Sequence, residues 1–150
     1  MARVDYRNIL AATRTLLLAD VAVAARSPMV LLDQSVGFSL DQPIINLTLV
    51  RRNAPADLQS LSASTRTRLD VIVAVWVYAF NMDQLVAEEL RDDMIGEVEL
   101  ALMSDTTLGD SVGTSWIIGG DFESAEPHEG GMQGFVRAAS IELNCRATAV

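Results

Sequence analysis

The sequence predicts an α+β fold: a mostly antiparallel sheet of about four to five strands with two helices packed on one face. Two stretches repeat apolar residues at helical spacing, one near the N-terminus and one after residue 81. Several others alternate apolar and polar residues with the period of a strand. The resulting order is helix, two or three strands, helix, two strands, which is the order of an α+β domain. The chain has 150 residues and half are apolar, so it reads as a single domain, 1–150, and not as a disordered segment. A chain of this length buries roughly 70% of the surface it exposes when unfolded, enough for a core without covalent staples.

Asp5 is placed to cap the first helix, expected over about Tyr6 to Ala19, with Ile9, Leu10, Thr13, Leu16 and Leu17 on one face. A continuation through Val21-Ala22-Val23 would stop at Ser27-Pro28, because a residue before proline avoids the helical region. Val36 to Leu40 is a short strand candidate. Ile44 to Val50 is a stronger one, with Pro43 at its start, where a missing N–H is tolerated. Residues 51–66 hold Pro55, several serines and Arg51, Arg52 and Arg66, and read as a long loop. Leu69 to Phe80 is the most regular strand. Val71, Val73, Val75 and Val77 take one face; Ile72, Ala74, Trp76, Tyr78 and Phe80 take the other. Both faces are apolar, so both should be covered. A helix can cover one. The face carrying Trp76 and Tyr78 either lies inside the monomer or meets a neighbouring subunit.

Asn81, with Gln84 three residues on, fits a capping box for the second helix. Val86, Leu90, Met94, Val98 and Leu102 form its apolar stripe, widened by Leu85, Ile95 and Ala101, with Gly96 inside the helix and Gly109 as a stop. The opposite face holds Glu88, Glu89, Asp92, Asp93, Glu97 and Glu99, relieved in the sequence only by Arg91. Thr114 to Ile118 and Phe135 to Ala147 are the last strands. The glycine-rich acidic stretch 119–134 between them is too long for a tight hairpin turn and reads as a second long loop or arm.

Charge bounds the function. Twenty acidic and eleven basic residues give a formal net charge of −9, the wrong sign for a free-standing nucleic-acid binder. All eleven basic residues are arginine, which suits bidentate pairing with carboxylates. Residues 1–81 carry eight arginines and six acids, whereas 82–130 carry thirteen acids and one arginine. Such segregation is either a solvated helix face plus a loop, or a means for one subunit to offer acids to the arginines of the next. Different but complementary patches make a head-to-tail contact, which closes into a ring when the rotation permits. An acidic surface lining a channel would also keep DNA from sticking there.

Catalytic and metal signals are weak. His128, the single histidine, lies beside Glu126 and Glu129 in the glycine-rich stretch, with no second histidine to support a metal site or a catalytic pair. Cys145, the single cysteine, falls on the apolar face of its strand and reads as a small hydrophobe. Asp105 and Asp110 lack EF-hand spacing, and Asp121, Glu123, Glu126 and Glu129 gather only loosely. Phosphate-binding and nucleophile-elbow motifs are absent. The longest apolar run, Leu16 to Ala25, is about half a membrane span and contains Asp20. The N-terminus lacks a signal-peptide pattern, so a reducing cytoplasm is the expected site of maturation.

The strand LDVIVAVWVYAF (69–80), the acidic helix MDQLVAEELRDDMIGEVELALMSD (82–105) and the turn Thr107-Leu108-Gly109 together resemble the tail terminator (tail completion) proteins of long-tailed bacteriophages. Ile117-Ile118-Gly119-Gly120-Asp121 and the final FVRAASIELNCRA (135–147) extend that resemblance over most of residues 69–147. It implies an α+β protein that is not an enzyme and uses no cofactor. Its copies would form a homohexameric ring at the tail-neck region of the virion, assembled in the host cytoplasm. The ring would cap the tail tube, stop its polymerisation and offer a surface for head-tail joining. The implied partners are the tail tube protein, a head-tail connector or stopper protein and, in a contractile tail, the sheath. DNA would pass through the lumen without specific binding, and no membrane is involved. The interface residues expected from the charge pattern are Arg51, Arg52 and Arg66, pairing with Glu88, Glu89, Asp92 or Asp93 across subunits, with Trp76 and Tyr78 on a subunit contact. The rival readings are another neck component, a head-completion or connector protein that binds the portal, and a small enzyme or ligand-binding domain built on His128.

Overall fold

The computed structural model describes residues 4–34, 42–53, 68–125 and 134–148. The elements are α1 (Tyr6–Ala19), α2 (Val21–Ala25), β1 (Met29–Leu32), β2 (Ile44–Asn53), β3 (Arg68–Asn81), α3 (Gln84–Ser104), β4 (Thr114–Gly119), β5 (Phe122–Ala125) and β6 (Phe135–Thr148). The strands form one sheet in the order β1-β2-β3-β6-β4, with β5 also pairing with β6. Only β1 and β2 run parallel; the other pairs are antiparallel. The architecture is the expected α+β one, with six strands among the described residues in place of four to five. The expected strand at Val36 to Leu40 lies outside the described residues.

α1 has the expected bounds. Asp5 caps it by accepting from the Asn8 N–H at 3.1 Å. The helix does not run on. Asp20 takes an extended conformation and caps the short α2 instead, accepting from the Val23 N–H at 3.0 Å. α3 begins later than the capping-box reading placed it. β3 runs through Asn81, which pairs with Phe135, so the cap falls to Asp83, which accepts from the Leu85 and Val86 N–H groups.

α1 and α3 pack on one face of the sheet. Ile9, Leu10, Leu17, Met94, Val98, Ala101 and Leu102 meet Ile45, Leu47, Val71, Val73, Val75, Val77, Ile141, Leu143 and Cys145. The buried stripe of α3 enters through Ala87; Leu85 and Val86, expected within it, are 62% and 38% exposed. After α3, the Asp105 carboxylate accepts from the Thr107 hydroxyl and from the N–H groups of Thr107 and Gly109 at 2.7–3.0 Å. It holds a turn in which Leu108, Gly109 and Asp110 all have positive φ, and Leu108 is fully buried. The three donors keep the Asp105 carboxyl below the usual carboxylate range.

Two expected loops are shorter than the sequence suggests. Arg51, Arg52 and Asn53 belong to β2, which pairs with β3 as far as Asn53↔Asp70. Residues 54–66 of that loop, Arg66 among them, lie outside the described residues. Within 119–134, β5 continues the path of β4 along β6. The two are in effect one edge strand interrupted at Gly120–Asp121; the register slips earlier, between Ile117 and Gly119, and is then kept through β5. Residues 126–133, with His128, Glu126 and Glu129, lie outside the described residues.

Candidate interaction surfaces

The face of the sheet away from the helices carries Trp76 and Tyr78. Ile44, Tyr78 and Ala138 form one cross-strand row, and Asn46, Trp76 and Ser140 the next. The two rings stack, with centroids 6.1 Å apart and planes 26° apart. Both remain half-exposed, while Ile44, Asn46, Ala74, Ala138 and Ser140 around them are buried. Burial, together with the nearby Glu123, raises the Tyr78 phenol above its ordinary pKa. Among the described residues no helix packs on this face. Trp116 extends the aromatic surface toward β4, 40% exposed, with the Arg146 guanidinium 5.4 Å from its ring centroid. Arg146 is itself held by Asp70 across the β3–β6 pair, at 3.0 and 3.3 Å. Asn46 Oδ1 and Asn144 Nδ2, both on this face, are buried without a hydrogen-bond partner.

The arginines of β2 do not share a face. The register shifts between Leu49↔Val73 and Arg51↔Ile72, so Val50 is the extra residue of a β-bulge. Were the register unbroken, Arg51 would pair with Val71 and share the helix-side face of Leu49. With the bulge, Arg51 moves to the open face, and Arg52, opposite Val71, turns toward α1. There it donates to the Tyr6 hydroxyl at 3.0 Å and lies 5.9 Å from the Tyr6 ring centroid. Arg51 is exposed and makes no ion pair with a described residue.

The acids of α3 are less isolated than the sequence suggests. Arg26 grips Glu97 with two hydrogen bonds, at 2.6 and 2.8 Å, and reaches Asp93 at 3.9 Å. Arg137, whose side chain is 8% exposed, pairs with Glu88 at 3.4 Å. Arg91 pairs with Asp92 at 2.9 Å and lies over the Phe122 ring. Glu89 and Glu99 are exposed and unpaired among the described residues. Reasoning from sequence missed Arg26 and Arg137 as partners for this helix. Arg137 left a readable signal: a cation in phase with Ala139, Ile141 and Leu143 on a core-facing strand face requires an anion opposite.

Among the described residues, no group of three or more His, Cys, Asp or Glu side chains could hold a metal ion. Cys145 is fully buried, and burial pushes its thiol up to about 12. No described helix is long and apolar enough to cross a membrane.

The fold has a counterpart. It is similar to a chain in the solved structure of the virion of a native gene transfer agent particle, with a TM-score of 0.53 over 95% of both chains, at 12% sequence identity. The sequence itself matches no family model and no curated protein.

Proposed function

We propose that this chain is a structural protein of a phage-type virion, and that its copies form a ring that caps the tail tube. The observation that carries the reading is the shared fold with a chain of a virion, which spans nearly the whole length of both. The tail terminator resemblance of residues 69–147 supports the finer role. Two physical features favour assembly over chemistry. One sheet face presents Trp76, Tyr78 and Trp116 with no described helix over it. Exposed arginines stand on β2, while exposed acids stand on α3.

In this reading Arg51 and Arg52, with Arg66, pair with Glu89, Asp92 and neighbouring acids of the next subunit, and Trp76 and Tyr78 lie on a contact with a neighbour or with the tube. A surface ion pair contributes at most about 1 kcal/mol, so several must act together. The test is the double charge reversal Arg51→Glu with Arg52→Glu. The expected result is weaker ring formation and weaker capping of tail tubes by a protein of unchanged fold. Unaltered oligomer mass and capping would reject the assignment of these residues. A ring of twelve subunits that binds portal and ignores the tube would move the chain to the connector role.

A further inference from the structure

Gly96 occupies the middle of the outward face of α3. At about 100° per residue, Leu85, Glu89 and Met103 lie within about 20° of its direction, and Asp92 and Leu100 within about 40°. A Cβ at Gly96 would meet nothing within 4 Å outside the helix's own backbone, so packing inside the monomer does not call for glycine there. Glycine in a helix interior is unfavourable relative to alanine. Around it the face changes character along its length. Next to it on the N-terminal side stand Glu89, Asp92 and Asp93, the last two with side chains 59% and 67% exposed, with the exposed Leu85 a further turn away. Toward the C-terminus stand Leu100 and Met103, 70% and 64% exposed.

The end of β2 presents the matching sequence of features. β1 pairs only with Ile44 to Leu47, so among the described residues the outer edge of β2 from Thr48 to Asn53 is open. Leu49 and Val50 are 39% and 47% exposed, and Arg51 and Arg52 follow on opposite faces of the same ridge. The spacings agree. Asp92 and Leu100 each lie about 6 Å along the helix from Gly96, and Leu49 and Arg52 lie about 3 and 7 Å along the strand from Val50.

We infer that the β2 bulge of one copy crosses α3 of the next copy at Gly96. Val50 sits over the glycine. Arg51 and Arg52 straddle the helix toward Glu89 and Asp92, and Leu49 meets Leu100 and Met103. Glycine is the residue that lets strand backbone approach helix backbone this closely. This contact rests on the ring reading above and names the two surfaces that close the ring.

Paired cysteines test it. Cys145 is fully buried and gives no background. The double variant Val50→Cys with Gly96→Cys, oxidised at assembly concentration, should give a ladder of covalent oligomers on a denaturing gel, and each single variant should give none. Gly96→Leu, which places a better helix former on an exposed face, should keep the fold and melt no lower than the parent. It should raise the concentration at which rings form by about tenfold, the effect of filling a close contact. Rings that form equally well with Gly96→Leu and never cross-link between residues 50 and 96 would overturn this contact while leaving the ring reading standing. Parent protein that forms no ring, alone or on tail tubes, would overturn the ring reading itself.

Discussion

The backbone of Gly120 passes against Ser140: a Cβ on Gly120 would stand 1.9 Å from the Ser140 carbonyl oxygen. The approach is locked by two further bonds, the Ser140 N–H to the Asp121 carbonyl and the Asp121 N–H to the Ser140 hydroxyl, at 2.8 and 3.0 Å. This clamp is where β4 hands over to β5 along β6. Gly120→Ala should therefore destabilise the protein by about 1–3 kcal/mol, the usual cost of forcing an atom into a filled site. Denaturant unfolding followed by circular dichroism checks it, and a variant as stable as the parent would contradict the close approach.

The opposite outcome is expected at Gly96, where a Cβ meets open space. Gly96→Ala should stabilise the isolated protein by about 1 kcal/mol through helix propensity. For a domain of this size that raises Tm by about 2–4 °C. Thermal melts of the two glycine variants side by side should move in opposite directions.

Asp105 gives a pH dependence with a fixed sign. Its hydrogen bonds from Thr107 and Gly109 lower its pKa in the folded state. Its contribution to stability is therefore whole above the unfolded value of about 3.9 and is lost as pH falls through the lower folded value. Asp105→Asn should melt below the parent near neutral pH, and the gap should shrink in acid. A gap that widens in acid would contradict the bonding pattern.

Cys145 should be chemically silent in the native protein. Its thiol is fully buried, with its pKa pushed up to about 12, so little thiolate exists at neutral pH. An aromatic disulfide reagent should label it only after denaturant is added. Rapid labelling of native protein would place the last strand differently.

What the sequence revealed follows from where each signal resides. α1 and its Asp5 cap are local features, and their bounds could be read directly. The alternation of β3 and β6 identified both strands and the core face that Val71, Val73, Val75 and Val77 share with Ile141 and Leu143. β1 escaped because Met29-Val30-Leu31-Leu32 does not alternate; its strand exists through parallel pairing with β2, fifteen residues on in the register Met29↔Ile44. β5 escaped because a glycine-rich acidic stretch hides four residues that become a strand only on the edge of β6. The candidate surface was partly legible. Trp76 and Tyr78 were correctly placed on the face opposite the valines. The ion pairs of α3 were not foreseen, since Arg26 and Glu97 stand 71 residues apart and Arg137 and Glu88 stand 49 apart. Nor was the bulge at Val50, which shows only in the register of paired strands and which turns Arg51 and Arg52 to opposite faces.

The central claim is that this chain works by assembling. Light scattering after gel filtration, across protein concentration and ionic strength and with and without tail tubes, measures that directly. The account predicts a mass near six subunits, or a monomer that becomes a six-membered ring when tubes are added, weakening as salt screens the arginine and acid surfaces. A monomer indifferent to concentration, salt and tubes would contradict it.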